Sequence, residues 1–480
     1  MDSTEPLIRS RAILRWLPAM ILAIVMLGAG VVVARIGGPP VRAAVSIETT
    51  EIPVLSVRRS LDPLLRRSAD ARLVARLDEF VATQPDDTCL SVRTGGVDYA
   101  HRGDDRQAPA SLQKLLTATA ALIELGPDAT FETQVLGPPV VDGVVGGDLY
   151  LRGGGDPILS TMPYVARERN QPQIASDLAR LADAVVAQGI TTVYGSVVGD
   201  ESRYDAVRYH PVWPSRFLAQ GQIGPLSALS VNDGFAYFPE ETGVFGAAAD
   251  PAGYAARVLT DLLRERGVVV GAEPVAGATP GDLAVVAAHT SPPLAEIVAQ
   301  MLQESDNNTA ELLLKELGSR VVGDGSFAGG QTAITEILGD AGLSMDDATV
   351  VDGSGLAVED QVTCDLIVDV LEHGATAQVV DAGLAVAGRT GTLSRRWVGT
   401  DLEGRVRAKT GTLNHVTGLA GHAASADDGD VRFALIVNLP DDVFVDADIV
   451  AGQERLAEIL TAHPDLPDVS SVRPGADGGK

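Results

Sequence analysis

The sequence predicts an α/β protein in which an antiparallel sheet is covered by helices, with a β-rich domain inserted into the chain. Helical patterns and a hairpin occur before residue 131, and helical patterns with three strand-like runs occur after residue 288. The residues between them consist of short β-like runs separated by glycines. A chain of 480 residues is long enough for two or three such units. Without its middle part, the order of elements is typical of an α/β sandwich.

Residues 1–36 are predicted to be an N-terminal membrane anchor or a signal. Arg9, Arg11 and Arg15 precede an uncharged run from Leu17 to Ala34. The run is at the lower limit for a membrane-spanning helix and slightly longer than a usual signal core. We favour an uncleaved anchor with its basic residues inside over a removed signal. In both cases the rest of the chain is expected to be exported and extracytoplasmic.

A linker at 37–68 is expected to lead to a first catalytic part at 69–130. Ala69 to Ala82 carries apolar residues on one side and charges on the other, which predicts an amphipathic helix. Two strand-like runs around Thr94-Gly95-Gly96 predict a hairpin. The apolar run after Ser111 predicts a buried helix with this serine in its first turn.

The inserted part is predicted at 131–288, with helices at Ile174 to Gln188 and Ala252 to Arg266 among its short strands. The second catalytic part is predicted at 289–463 and combines helices with three strands and a closing helix. Residues 464–480 are rich in Pro, Gly and Asp, which predicts a disordered tail.

The charge balance excludes one class of partner. The chain has 37 basic and 64 acidic residues and a net charge of −27, which repels phosphate backbones, so nucleic acid is not expected. Cys89 and Cys364 either pair as a disulfide or remain two buried thiols, and the sequence leaves both open. A catalytic thiol is disfavoured because no histidine lies in a suggestive motif with either cysteine.

Lysine is scarce, so each lysine is informative. Only Lys114, Lys315, Lys409 and Lys480 occur, and all other basic residues are arginines. A desolvated lysine can lose its proton and act as a base, whereas arginine cannot. Lys315 and Lys480 are interpreted as ordinary surface lysines.

Ser111 and Lys114 are three residues apart at a predicted helix start, so their side chains share one face. The helix dipole there favours negative charge developing at the serine. A neutral Lys114 would take the Ser111 proton. Because the ordinary pKa of lysine is about 10.4, this role requires burial or a nearby cation, and Lys409 is the predicted cation.

Two further motifs accompany this pair. Lys409-Thr410-Gly411-Thr412 ends a strand-like run, where Gly411 lets a substrate backbone approach and Lys409 would hold a carboxylate. Ser305-Asp306-Asn307 lies between two helical stretches, and alone it is equally explained as the cap of a helix that begins near Thr309. Each motif is weak by itself, but the three in this order are specific.

With this motif set the chain resembles the penicillin-binding protein and serine β-lactamase superfamily. It is further similar to the class C low-molecular-mass penicillin-binding proteins of actinobacterial type, which are D-alanyl-D-alanine carboxypeptidases and endopeptidases. The long separation of Ser111 from Ser305 resembles this group, which carries inserted domains at that point. Three phrases are also similar to it: Gly147 to Pro157, Ser291 to Leu294 and Asp352 to Leu356. The resemblance implies a β-lactamase/transpeptidase-like sandwich.

The resemblance also implies the chemistry of the motif residues. Ser111 would form an acyl-enzyme, and Lys114 would be its general base. Ser305 would relay the proton towards the leaving amine. Asn307 would hold the substrate amide and Lys114.

The substrate's terminal D-alanine carboxylate is implied to bind at the third motif. Its ligands would be Lys409, Thr410, Gly411 and Thr412. The backbone N–H groups of Ser111 and Thr412 would form the oxyanion hole. No metal and no cofactor is needed for this chemistry.

Two other segments invite a functional interpretation. Arg389-Thr390-Gly391-Thr392 nearly repeats the third motif, but we reject it because it lacks the lysine. Gly353-Ser354-Gly355 is interpreted as a turn. The similar group often continues Ser-Arg after Leu356, whereas Ala357 and Val358 follow here, so recognition of the donor peptide side chain is left open.

The expected function is a penicillin-sensitive D-alanyl-D-alanine carboxypeptidase, with endopeptidase action also open, that acts on peptidoglycan stem peptides and has β-lactams as inhibitors. The alternatives are a serine β-lactamase, which the inserted domains disfavour, and a non-catalytic peptidoglycan-binding protein. The oligomeric state is not predicted.

Overall fold

The computed structural model describes residues 57–166, 174–237, 246–427 and 429–465, with side chains from residue 65 onward. The predicted anchor or signal and nearly all of the predicted tail lie outside these residues. The described residues from 61 onward form one compact unit. Within the described ranges, no helix combines the length and the apolar character needed to cross a membrane.

The helices differ widely in length, and we number them in chain order. They are α1 (Val57–Val81), α2 (Gln113–Leu125), α3 (Met162–Val165), α4 (Leu178–Ala187), α5 (Arg216–Ala219), α6 (Pro251–Glu265), α7 (Leu294–Glu304), α8 (Asn307–Val321), α9 (Phe327–Asp340), α10 (Cys364–Glu372), α11 (Ala377–Gly383) and α12 (Ala447–Thr461). Short 3₁₀ turns lie at Ala110–Leu112, Asn232–Gly234 and Gly391–Leu393.

The strands are numbered in the same way. They are β1 (Thr88–Thr94), β2 (Val97–His101), β3 (Glu132–Gly137), β4 (Val140–Val141), β5 (Val144–Val145), β6 (Leu149–Arg152), β7 (Leu159–Ser160), β8 (Ser176–Asp177), β9 (Thr192–Val193), β10 (Val197–Asp200), β11 (Phe235–Tyr237), β12 (Gly246–Ala247), β13 (Val269–Val270), β14 (Val275–Ala276), β15 (Ala284–Thr290), β16 (Ala385–Val386), β17 (Val406–Thr412), β18 (Val416–Ala424) and β19 (Asp430–Asn438).

The central sheet has six strands in the order β16-β17-β18-β19-β1-β2, and every neighbouring pair is antiparallel. Along β19 the side chains alternate between two hydrophobic cores. Ala434 and Ile436 belong to one core, and Phe433 and Leu435 belong to the other. Because both faces are apolar, helices cover both sides, and the predicted α/β sandwich is confirmed.

Different helices cover the two faces of the central sheet. Helices α1 and α12 cover one face and contribute Leu77 and Leu456 to its core. Helices α2, α7, α8 and α10 cover the other face, and the larger of the two hydrophobic cores lies between them and the sheet. A disulfide joins Cys89 on β1 to Cys364, the first residue of α10. Of the disulfide and the two buried thiols that the sequence left open, the structure contains the disulfide.

The predicted insertion at 131–288 is only partly a packing unit of its own. It holds a mixed five-stranded sheet in the order β14-β10-β6-β3-β15, a four-stranded sheet, and a core with α4 and α6. Tyr204, Trp213, Phe217 and Ile223, however, are buried in the larger core of the catalytic part. This segment therefore packs with the catalytic helices and not with the insertion's own sheets.

Some element boundaries differ from the prediction. Helix α1 begins at Val57 and not near Ala69, so the predicted linker overlaps its first turns. The helix predicted from Ile174 begins at Leu178, because the Asp177 side chain accepts the Ala179 N–H at 2.9 Å and caps it.

Lys315 is not a surface residue, contrary to its interpretation from the sequence. Its side chain is only 1% exposed and forms an ion pair with Asp205. It also donates to the Val207 carbonyl oxygen at 3.0 Å and lies over the Phe327 ring. A lysine in a core needs such partners, and these come from segments distant in sequence, which is why the sequence pattern missed them.

Candidate active site

Ser111 lies in the 3₁₀ turn that leads into α2. The backbones at Gly355 and Gly411 approach this turn closely. The preceding residue, Ala110, has a left-handed φ of 47°. A Cβ on Gly355 would lie 1.8 Å from the Ala110 carbonyl oxygen, and one on Gly411 would lie 2.8 Å from the Pro109 carbonyl oxygen. A left-handed conformation is strained for a residue other than glycine and persists only where the surrounding packing holds it. Such residues are often found at functional sites. Strand β17 therefore runs directly beside the serine.

Lys114 is fully buried and has three hydrogen-bond acceptors. Its Nζ lies 3.1 Å from Ser111 Oγ, 2.6 Å from Asn307 Oδ1 and 2.7 Å from the Ser354 carbonyl oxygen. Burial lowers the pKa of Lys114 to about 8, while nearby carboxylates act in the opposite direction. At that pKa, roughly a tenth of the amine is neutral at pH 7 and can accept a proton.

Ser305 and Asn307 point to different lysines, and Asp306 between them caps α8. Asp306 Oδ1 accepts the Thr309 N–H at 3.1 Å, so part of the motif is indeed a helix cap. Ser305 has a left-handed φ of 63° where α7 ends. This bend turns its hydroxyl towards Lys409, whose Nζ donates to Ser305 Oγ at 2.7 Å.

Lys409 on β17 is also fully buried. Burial holds the pKa of Lys409 well below its usual value, and repulsion from the charge of Lys114 lowers it further. Lys409 is the cation that the sequence predicts to lower the pKa of Lys114, but the cause of the lowering at Lys114 is burial. Thr410 is half-buried and Thr412 is exposed at the end of the strand.

The near-repeat that lacks the lysine lies against the same strand. The Thr410 hydroxyl donates to Thr392 Oγ1 at 2.9 Å. Strand β16, which precedes the repeat, pairs with β17 through Ala385 and Ala408. Thr392 therefore supports the third motif from the side, a role that the sequence analysis did not identify.

The inserted segment supplies part of the site through its backbone. Asn307 Nδ2 donates to the Gln222 carbonyl oxygen at 2.7 Å. The next residue, Asn308, accepts the Gly224 N–H at 3.0 Å and donates to the Asp233 carbonyl oxygen at 3.2 Å. Backbone contacts of this kind leave no signal in the sequence.

Sequence reasoning also missed the buried acids beneath Lys114. The Glu311 carboxylate accepts the Ser354 N–H at 2.8 Å. Asp352 accepts the Trp213 indole N–H at 2.7 Å and the Ala357 N–H at 2.7 Å. The spacing of Glu311 four residues after Asn307 was the available signal, since it places both on one face of α8. The segment interpreted only as a turn, Gly353 to Gly355, thus contacts the lysine.

The chain matches a model of the D-Ala-D-Ala carboxypeptidase 3 (S13) family over residues 75–243 and 238–459. It is 29% identical to a D-alanyl-D-alanine carboxypeptidase of Actinomadura sp. (strain R39), over 83% of this chain and 87% of that protein. It is 32% identical to carboxypeptidase DacB of Mycolicibacterium smegmatis, over 69% of this chain and 71% of that protein.

Solved structures share the fold. Penicillin binding protein 4 of Haemophilus influenzae superposes with a TM-score of 0.66 at 22% identity, over 79% of this chain and 97% of that one. The same protein complexed with a β-lactam superposes with a TM-score of 0.60 at 22% identity, over 80% of this chain and 99% of that one. At this level of identity the likeness shows the fold alone.

Proposed function

This chain belongs to the D-Ala-D-Ala carboxypeptidase 3 (S13) family, and we propose that it is a serine-type D-alanyl-D-alanine carboxypeptidase with Ser111 as its nucleophile. The observation that carries the proposal is the pair of buried lysines, one on each serine of the motif set. Lys114 contacts Ser111, and Lys409 contacts Ser305. The named carboxypeptidase relatives support the same reaction.

The acylation step follows from these contacts. Neutral Lys114 takes the proton from Ser111 Oγ as the oxygen attacks the carbonyl carbon of the penultimate D-alanine. The backbone N–H groups of Ser111 and Thr412 are the proposed donors to the oxyanion. Ser305 relays the proton that Lys114 has taken up to the leaving D-alanine amine. Water then hydrolyses the ester and frees Ser111.

The third motif is the proposed site for the substrate's terminal carboxylate. Lys409, Thr410, Gly411 and Thr412 line the strand edge beside Ser111. An arriving carboxylate raises the pKa of Lys409 again, because an opposite charge favours the protonated amine. Asn307, which accepts from Lys114 and donates to the Gln222 carbonyl oxygen, is the proposed partner of the substrate amide.

The test uses a labelled penicillin and a D-alanyl-D-alanine peptide. We expect a stoichiometric penicillin adduct that is absent in Ser111→Ala, and release of D-alanine by the parent protein. Absence of any adduct would overturn the mechanism. Prompt β-lactam turnover without D-alanine release would identify a β-lactamase, and an intact fold with neither activity would leave the non-catalytic peptidoglycan-binding protein as the remaining alternative.

The finer assignments are proposals of the same kind. Peptidoglycan stem peptides are the proposed natural substrate, and cleavage of cross-linked dimers would add endopeptidase action. Residues 1–36 are proposed to export the chain and to hold it at the membrane, with its catalytic part outside the cytoplasm. Fractionation of the native protein, with N-terminal mass measurement, tests whether this segment is retained or removed.

A further inference from the structure

Glu311 lies beneath Lys114, where helix α8 meets the loop between α9 and α10. It follows Asn307 by one helical turn, so the two side chains share one face of α8. Its side chain is fully buried. Asn307 binds Lys114 directly, whereas Glu311 reaches Lys114 through the loop.

In this connection, Glu311 and Lys114 both form hydrogen bonds to backbone groups of the loop. Glu311 accepts the Ser354 N–H at 2.8 Å and the Gly353 N–H at 3.1 Å. The Ser354 carbonyl oxygen accepts from Lys114 Nζ at 2.7 Å. The peptide groups on both sides of Ser354 are therefore held between an acid and a base.

We propose that Glu311 is a positioning residue for proton transfer from Ser111 to Lys114: through Ser354 it fixes the place of the amine, and in its ionised form it favours the protonated amine. The inference rests on the proposed acyl-enzyme function. Glu311 touches neither the substrate carbonyl nor Ser111 in this mechanism.

The charged groups that face Lys114 come from three elements. Helix α8 contributes Asp306 and Glu311, and the loop after α9 contributes Asp352 and Asp360. The fifth group is Lys409 on β17, whose pKa the charge of Lys114 lowers. The acids all act to raise the pKa of Lys114. Burial and the charge of Asp352 raise the pKa of Asp360 itself well above its usual value.

Glu311 and Lys114 titrate in the same pH range. Burial raises the pKa of Glu311 to about 8, the charge of Asp352 adds to this effect, and the Ser354 and Gly353 hydrogen bonds and Lys114 oppose it. Burial lowers the pKa of Lys114 to about 8. Each group is among the causes of the other's pKa, so removal of Glu311 changes the apparent pKa of Lys114.

The experiment compares two substitutions on one helix. Glu311→Gln keeps the shape and removes the charge. Glu316→Gln is the matched control, since Glu316 is also a buried acid of α8 but is bound to Arg203 and Arg320, away from Lys114. For each folded protein, the rate of acylation by a labelled penicillin is measured on both sides of neutral pH.

Acylation requires neutral Lys114, so its rate rises with pH. In the parent protein Glu311 ionises over the same pH range, and its charge opposes proton loss from Lys114. Glu311→Gln cannot ionise, so we expect the midpoint of this rise to move down by about one pH unit. Glu316→Gln is expected to lower the melting temperature and leave the midpoint in place. An unmoved midpoint in Glu311→Gln, or an equal movement in Glu316→Gln, would overturn the inference.

A second variant decides the case if Glu311→Gln does not fold. Glu311→Asp keeps the charge but withdraws the carboxylate by one methylene, so the Ser354 contact is loosened. We expect acylation to fall about tenfold with the midpoint unchanged. Acylation at the parent rate would contradict a positioning role. Failure of the proposed function is distinct, because the parent protein would then form no adduct and release no D-alanine.

Discussion

Lys114 and Lys409 share one property at the scale of the single residue: neither side chain is exposed to water. Burial is the largest cause of the lowered pKa in both. The scarcity of lysine in the sequence drew attention to these two residues. It did not distinguish them from Lys315, which is buried as well but paired with Asp205. A direct ion pair, which Lys315 forms with Asp205 and Lys114 does not form within the described residues, separates the structural lysine from the proposed base.

Lys114→Arg tests whether proton loss at this position matters. Arginine keeps a positive charge on a side chain of similar length but does not deprotonate in proteins. We expect acylation by penicillin to fall by about 10²- to 10⁴-fold, the usual contribution of a positioned base. The measurement is the rate of adduct formation, with a melting curve to establish folding. A variant that acylates at the parent rate would exclude Lys114 as the base.

Asp156 is a buried acid that no cation neutralises within the described residues. It is 2% exposed, its Oδ1 accepts the Ile158 N–H at 3.1 Å, and burial raises its pKa to about 6. The folded protein therefore holds this proton more tightly than the unfolded chain does. Its contribution to stability is present below about pH 4 and is lost as the pH rises through about 6.

Asp156→Asn should consequently stabilise the protein only at the higher pH. We expect its free energy of unfolding to exceed that of the parent by about 1–3 kcal/mol at neutral pH. Near pH 4, where the parent carboxyl is also uncharged, the two proteins should be alike. Urea denaturation at both pH values measures the difference, and an equal effect at both would show that charge is not the cause.

At the scale of elements, the site depends on close contact between a 3₁₀ turn and a loop. The turn at Ala110–Leu112 carries Ser111, and the loop between α9 and α10 carries Ser354. Their contact point is Gly355, whose φ of 79° favours glycine. The loop thus fixes the nucleophile's turn on one side and the amine of Lys114 on the other.

Gly355→Ala should disturb this contact. Its Cβ would lie 1.8 Å from the Ala110 carbonyl oxygen, so the turn or the loop must move. We expect a loss of about 1–3 kcal/mol in the free energy of unfolding and slower acylation. Gly374→Ala is the matched control, because no heavy atom lies within 4 Å of its added Cβ. Equal stability of the two variants would contradict the proposed role of the contact.

At the scale of the whole molecule, the catalytic part is assembled from distant segments around one sheet. Strands β1 and β19 are neighbours although most of the chain separates them. The disulfide of Cys89 and Cys364 spans 275 residues and fastens β1 to α10. A crosslink over so long a loop restricts the unfolded chain strongly.

Replacing both cysteines by serine should therefore lower the free energy of unfolding by about 5–6 kcal/mol, as loop-closure entropy predicts. Urea denaturation under non-reducing conditions measures the loss. The parent protein with its disulfide reduced should behave like the double variant. Two titratable thiols in the non-reduced, denatured parent would contradict the bridge.

The sequence by itself determined the fold class, the family resemblance and the motif residues. Local patterns suffice for these, because the hairpin and the strands β17 to β19 are formed by neighbouring residues, and Ser111 and Lys114 lie within one turn. The tertiary structure decided which groups meet. The Gln222 carbonyl, Thr392 and Glu311 reach the site through long-range packing, and the choice between free thiols and a disulfide depended on the distance between Cys89 and Cys364. Contacts between segments far apart along the chain leave no local period or spacing from which they can be predicted.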